Sequence, residues 1–410
     1  MLERSRVLDA RDPLAPLRGE FDLPEGIVYL DGNSLGPLAH RVRQRLQTVV
    51  DEEWGRSLIA SWNRHGWIGL PRTVGEKIAP LLGAAPGQVM CTDSVSVNLF
   101  KLLSCALELR RGRTVVLTTE DNFPTDLYTA EGVAALLGPA RCTVRRVSPA
   151  DVESALDADV AVLLLTQVDY RTGRLHDVAR LTERARAGGA LALWDLSHSV
   201  GVVPLALDAW GVDLAVGCGY KFLNGGPGAP AFVYVAERWQ HAARQPLTGW
   251  MGHRSAFDFA PAYAPAEGAE RFLSGTPGVL GMAALDAALE LFDGVSVEAL
   301  RTKSLALTEL FIGAVDGREG LAEVQVLTPR APGERGSHVS LVHPEAWSVS
   351  QALIEAGVVV DFRAPDAVRF GFAPMYTRYA DVAAAVAALE DVLGSRRYEE
   401  ARFQERRRVT

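Results

Sequence analysis

Lys221 stands in the stretch VDLAVGCGYKFLNGGPGAP (212–230), after a short branched apolar run and shortly before Gly225, Gly226, Pro227 and Gly228. Such a run followed by glycines predicts a buried strand that opens into a loop where backbone can approach a ligand closely. The chain has four lysines (Lys77, Lys101, Lys221 and Lys303), and arginine carries nearly all the remaining positive charge. Arginine does not give up its proton, whereas a desolvated lysine can, and its free amine can form a Schiff base. Upstream, a second apolar run, ALALWD (190–195), ends in Asp195 and leads into Leu196, Ser197, His198 and Ser199. Two buried strands that each end in a reactive group, joined by a crossover, predict a parallel sheet with its ligand beyond the carboxyl ends. A lysine and an aspartate so placed are the pair that pyridoxal 5'-phosphate (PLP) requires. The lysine makes the covalent link, and the aspartate keeps the pyridine nitrogen protonated so that the ring accepts electrons. His198 would face the ring or its phosphate.

Other positions fit a site of this kind. Asp31 to Gly36 (DGNSLG) follows a short strand and precedes a helix, the setting of a turn and N-cap. Thr92 to Leu99 opens a helix with small hydroxyl residues, and a helix start offers free N–H groups and a positive dipole end to a phosphate. Phe123, in NFPTD (122–126) after the strand TVVLTTE, is placed to stack on an aromatic cofactor. Arg369 lies inside the apolar strand AVRFGF, where a charge must be paired or must await an anion. Its planar fork suits a carboxylate, and Arg363 is its local competitor.

The elements that must position these groups emerge from pattern and composition. With 410 residues, the chain can bury a large core in more than one domain. Alternating strand and helix signals run to about residue 260, as in an α/β protein. Strands are predicted at 115–118, 160–166, 190–194 and 212–216, with helices at 37–53 and 176–187, and an aromatic-rich connection at 51–69. A helix near 277–292 leads to strands near 337–342, 358–362 and 368–372 and a final helix over 379–393. The hydrophobic fraction of 48% and net charge of −8 are those of a soluble globular chain without a nucleic-acid stripe. Only the tail, with Arg396, Arg397 and Arg406 to Arg408, is locally basic. The charged N-terminus has no secretory pattern, and no run reaches the length of a membrane span. Cys91, Cys105, Cys142 and Cys218 have neither metal-ligand nor disulfide spacing, which fits buried thiols in a reducing cytoplasm. No metal site is expected.

The motifs YLDGNSLG, NFPTDLY, DYRTG, WDLSHSVGVVPL, DLAVGCGYKFLNGGPGAPAFVYV, QPLTGWMGH and DFRAPDAVRFGF closely resemble kynureninase. The resemblance runs from about Leu8 to the C-terminal helix. It implies the α/β PLP-dependent transferase fold (fold type I), with a mostly parallel seven-stranded sheet between helices in a large domain. On that pattern residues 1–60 form an N-terminal arm and helix, 61–285 the large domain, and 286–410 a smaller α+β domain that packs with the N-terminal segment.

The resemblance also implies the hydrolysis of L-kynurenine to anthranilate and L-alanine by a cytoplasmic homodimer with shared active sites. Lys221, Tyr220 and Asp195 would be catalytic. Val95 and Ser96 would bind the cofactor phosphate, with Phe123, Asp126, Thr172 and His198 also at the cofactor. Trp250 and Thr276 would reach the cofactor of the neighbouring subunit. Asn33, Ser34, Trp62 and Arg369 would contact substrate, Arg369 through the α-carboxylate. Trp62 and Thr276 stand where relatives that prefer 3-hydroxykynurenine have His and Asn. Loss of those polar partners implies a preference for kynurenine, with His65 as a nearby confounder. A cysteine desulfurase of the same fold would share Asp195 and Lys221. It needs a nucleophilic cysteine on a loop in the later half, and all four cysteines here precede residue 219.

Overall fold

In the computed structural model, which describes residues 1–406, the short apolar runs become adjacent strands of one sheet. In chain order the first strands are β1 (Val28–Tyr29), β2 (Val89–Cys91), β3 (Val115–Thr119), β4 (Thr143–Val147), β5 (Val160–Thr166), β6 (Leu191–Asp195), β7 (Leu214–Cys218) and β8 (Ala231–Val235). Seven of them form a sheet in the order β2-β8-β7-β6-β5-β3-β4. The pairings among β3 to β7 are all parallel, and β8 runs antiparallel to both its neighbours.

Every residue of β5, β6, β7 and β8 is buried, which is why these strands read as continuous apolar runs. Alternate residues feed two cores on opposite faces. Leu163, Leu165, Ala192 and Trp194 join one core, with Val74, Leu181 and Leu285 from three covering helices. Val162, Leu164, Leu191 and Leu193 join the other, with Leu102 of the helix Val95–Leu109 and Val133 of the helix Pro124–Leu137.

The smaller unit holds β9 (Gln325–Val326), β10 (His338–Val342), β11 (Val358–Val359), β12 (Asp361–Arg363) and β13 (Ala367–Gly371). Its sheet is antiparallel in the order β12-β13-β10-β9. The helices Val297–Asp316, Ala346–Glu355 and Tyr379–Gly394 share its core of Phe311, Leu353, Phe370, Phe372 and Leu389, and Leu30 of the N-terminal segment enters the same core.

Several elements differ from the sequence-based expectation. The run expected as one strand at 358–362 divides between two sheets. Val358 and Val359 pair in parallel with β1, while Asp361 to Arg363 pair with β13. The helix expected over 37–53 is regular only over His40–Thr48 and continues as a wider π-helical turn, Val49–Trp54. The connection after it is a series of short helical turns. Val297–Asp316 is a long helix beyond those expected, capped by Ser296 Oγ on Ala299 N at 3.1 Å. Arg407 and Arg408 of the basic tail lie outside the described residues. No helix among the described residues is long and apolar enough to cross a membrane.

Candidate active site

Because β3, β5, β6 and β7 are parallel neighbours, their carboxyl ends open at one edge of the sheet. There a cleft collects Val95, Phe123, Asp195, His198, Tyr220 and Lys221. Lys221 lies three residues beyond β7, and its Nζ is 3.0 Å from His198 Nε2. The same nitrogen of His198 is 3.1 Å from the Asn33 carbonyl oxygen. Lys221 Nζ also sits 5.9 Å from the ring centres of both Phe123 and Tyr220. The loop is held by close backbone contact. Gly36 N donates to Tyr220 O at 2.8 Å, and a Cβ on Gly36 would lie 2.6 Å from the Lys221 carbonyl oxygen. Only glycine lets the segment after β1 press this tightly on the lysine.

Asp195 ends β6 fully inside the protein, where Ser197 N donates to its Oδ1 at 2.8 Å. Burial raises its pKa, while the Ser197 bond and the Lys221 charge oppose the rise. Asp126 is also buried, and neither of its carboxylate oxygens has a hydrogen-bond partner. Burial, and then the neighbouring Asp195, hold its carboxyl well above the ordinary range. An unpartnered buried carboxyl is costly unless a ligand completes it. Burial, and then the charges of Lys221 and Arg369, keep His198 neutral with its pKa well below the usual value. The phenol of Tyr220 is pushed upward, chiefly by burial, so it stands ready as a proton donor.

Val95 and Ser96 are the first two residues of the helix Val95–Leu109, and Ser94 caps it through Oγ to Val97 N at 3.4 Å. That cap serves the third helical N–H, so those of Val95 and Ser96 face outward at the positive end of the helix, as a phosphate requires. Lys101 fixes the turn beneath, donating from Nζ to Asp93 Oδ2 and Phe272 O at 2.6 Å each. A lysine for covalent linkage, a buried carboxylate at the next strand end, an orphaned Asp126 and a helix start together fit PLP.

On the side of the small sheet, Arg369 is almost wholly buried beside Asp361. Its Nε donates to Asp361 Oδ1 at 2.9 Å, its Nη1 to Tyr170 O at 2.6 Å and its Nη2 to Ser34 Oγ at 2.8 Å. With the Asn33 amide turned so that its oxygen faces the guanidinium, that oxygen accepts from Nε at 2.8 Å and from Nη2 at 2.9 Å. The expectation that Arg369 is either paired or awaiting an anion thus resolves towards pairing. Arg363 donates to the same Asp361 at 2.6 Å and to Ser34 Oγ at 3.3 Å, and its Nε is unpartnered. Burial would push Asp361 up, but the two arginines outweigh it and hold the carboxyl low. Asp31, half-buried near Asp361, moves the opposite way, raised by desolvation and then by the Asp361 charge.

Other expected residues lie further out. Thr172 does not line the cleft, and its Oγ1 donates to Asp169 Oδ1 at 2.5 Å within its own turn. Thr166, at the end of β5, does line it, together with Val168, Tyr170 and Ser197, none of which stands out from the sequence. Position at a strand end is the available signal for Thr166. Arg171 is a structural ion-pair member, at 2.5 Å from Asp366. Trp62 and Trp250 pack edge to face with ring centres 6.5 Å apart, outside the cleft of their own chain. Thr276 is exposed on a loop, and His65 Nε2 contacts Ser57 Oγ at 2.9 Å.

The fold has close structural relatives. A cysteine desulfurase of Thermococcus onnurineus superposes with a TM-score of 0.78 at 18% identity, covering 93% of this chain and 98% of its own. A cysteine desulfurase of Escherichia coli gives 0.77 at 21% identity with the same coverage. This is the fold of type I PLP-dependent enzymes, and the residues at the sheet edge suit that cofactor.

Residues 300–389 match the kynureninase C-terminal domain. The kynureninase of Deinococcus radiodurans is 53% identical over 393 residues, 94% of this chain and 95% of its own. That of Burkholderia pseudomallei is 47% identical over 412 residues, covering 100% and 99%. The chain belongs to the kynureninase family.

Proposed function

We propose that this chain hydrolyses L-kynurenine with one water to anthranilate and L-alanine, prefers kynurenine to its 3-hydroxy derivative, and works as a cytoplasmic homodimer. The observation that carries the site assignment is the convergence of Lys221, His198 and Asp195 at the ends of β6 and β7. PLP, when bound, supplies an electron sink that stabilises negative charge at the substrate α-carbon. Lys221 is the residue that would link to it covalently, and Asp195 would hold the proton on its pyridine nitrogen. Val95 and Ser96 would receive its phosphate. Asp126 would find in its polar edge the partner it otherwise lacks.

Once the substrate amine has displaced it from the cofactor, the freed Lys221 Nζ would take the α-proton of the substrate as a base. Tyr220, kept protonated by burial, gives and recovers a proton in the later steps. Arg369, with Ser34 and Asn33 beside it, receives the α-carboxylate, which must exchange with one of the bonds the guanidinium already makes. A preference for kynurenine is supported by Trp62 and Thr276, an indole and a small hydroxyl at the positions where relatives that prefer the 3-hydroxy derivative have His and Asn, so that a ring hydroxyl would lack strong polar partners. Residues 1–60, 61–285 and 286–410 act as arm, large domain and small domain.

The dimer reading rests on Trp250 and Thr276 lying outside the cleft of their own chain, and on exposed Leu58 and Ile59 close in sequence to Trp62. The test of the reaction is to supply purified, PLP-loaded protein with L-kynurenine and to monitor anthranilate fluorescence together with alanine. Stoichiometric release of both supports the reading. Release of neither contradicts it.

A further inference from the structure

The expected machinery leaves one buried imidazole beside the site without a role. His338, the first residue of β10, is fully buried, and neither ring nitrogen has a hydrogen-bond partner. Its ring meets that of His198 edge to face, with centres 5.5 Å apart and planes 72° from parallel. On its other side it fills the space that a side chain at position 173 would need. A Cβ on Gly173 would lie 3.2 Å from His338 Nε2 and 2.9 Å from its carbonyl oxygen. The ring is therefore wedged between the turn at 169–173 and His198, the residue in contact with the Lys221 amine.

The placement is anchored from both domains. His338 pairs with Gly371, and Ser340 with Arg369, so all four share one face of the small sheet. From that face Ser340 Oγ donates to Arg171 O at 2.5 Å and Arg369 Nη1 to Tyr170 O at 2.6 Å. Gly336 N, two residues before His338, donates to Gly173 O at 2.8 Å. The small sheet thus grips the turn and carries His338 against His198 in the same contact.

We propose that His338 is a positioning residue, a wedge from the small domain that fixes the His198 ring and, through it, the Lys221 amine for PLP. The proposal rests on the reading of His198 and Lys221 as cofactor residues. No protein group bonds its nitrogens, and what the ring offers His198 and the Gly173 turn is a contact of shape, a role that phenylalanine can fill. An aromatic ring of similar breadth without buried polar atoms removes a desolvation cost while keeping the edge-to-face contact.

The test uses holoenzyme of the wild type and of His338→Phe, His338→Leu and His338→Ala, diluted into buffer without PLP. Loss of the bound-cofactor absorbance is recorded with time, and thermal unfolding is measured with and without added PLP. At metal sites, removing the outer contact of a ligating residue typically costs about tenfold or more in affinity, and an effect of about that size is expected here. His338→Ala and His338→Leu are therefore expected to release PLP about tenfold faster than the wild type, and to gain less thermal stability from added PLP. His338→Phe is expected to stay close to the wild type in both readouts. Wild-type release rates in the Ala and Leu variants, with only a uniform fall in thermal stability, would show a purely structural residue and overturn the proposal. A Phe variant as impaired as Ala would overturn the shape argument as well. Should Ala fail to fold, Leu carries the same comparison. Wild-type protein that takes up no PLP would instead overturn the proposed function and this inference with it.

Discussion

Arg369 and Asp361 face each other across neighbouring strands of the small sheet, both almost wholly buried, with Nε 2.9 Å from Oδ1 and a second contact from Nη2 to Oδ2. The guanidinium proposed to receive the substrate carboxylate is thus held by protein partners before any substrate arrives. Two consequences separate structure from function. Asp361→Ala leaves a buried guanidinium without its counter-charge, and denaturant unfolding should show a loss of about 3 kcal/mol or more. Arg369→Lys keeps the charge but not the fork. It should lower kcat/KM for kynurenine by about tenfold or more, mainly through KM. An unchanged KM in the lysine variant would remove Arg369 from substrate binding.

Asp126 predicts a conflict between stability and ligand binding. Its folded-state pKa is raised, so the folded protein holds a proton that the unfolded chain has already released. For the protein freed of PLP, this contribution to stability is fully present below the ordinary carboxyl range and is lost as pH rises through the raised value. Asp126→Asn should flatten that part of the stability profile, leaving the cofactor-free protein more stable than the wild type at neutral pH. The same variant should bind PLP more weakly. Equal pH profiles for the two proteins would count against an unpartnered carboxyl at this position.

Trp62 and Thr276 carry a directional prediction. Trp62→His combined with Thr276→Asn should shift the ratio of kcat/KM values towards 3-hydroxykynurenine, by about tenfold if a ring hydroxyl gains a buried partner. Steady-state kinetics with both substrates read the ratio directly. A ratio unmoved by the double substitution would assign the preference elsewhere in the pocket.

Much of this site is legible in the sequence because parallel sheets write it at strand ends. ALALWD and VDLAVGCGYK show their strands as unbroken apolar runs, buried on both faces, and the residues just past each run necessarily stand at the ligand edge. The edge strand Thr143–Val147 is hidden for the converse reason. None of its residues is buried, Arg145 is half-buried and Arg146 exposed, and it carries no such run. The split at Val360 is hidden because the bonding partner of Val358 and Val359 is β1, more than three hundred residues away in the chain. Thr172 stands out over Thr166 in the sequence because motif resemblance outweighs position. In the fold, the residue three places past Asp169 closes its own turn, while the residue at the strand end lines the cleft. His338 carries no sequence signal at all, since a histidine inside an apolar strand shows its neighbour only when the small sheet is packed against the turns of the seven-stranded one.

The central claim is that Lys221, and no other lysine, carries the cofactor, and the chain's four lysines make that directly measurable. Lys101, itself buried, is already committed to Asp93 at the surface, Lys303 to a buried pair with Asp12, and Lys77 to Asp286. The PLP-loaded protein would be reduced with borohydride, digested, and mapped by mass spectrometry for the lysine that bears the pyridoxyl group. The account predicts the modification on the peptide containing Tyr220 and Lys221, and its disappearance in Lys221→Ala together with kynurenine turnover. Stoichiometric labelling at Lys77, Lys101 or Lys303, or full turnover by the Ala variant, would contradict it.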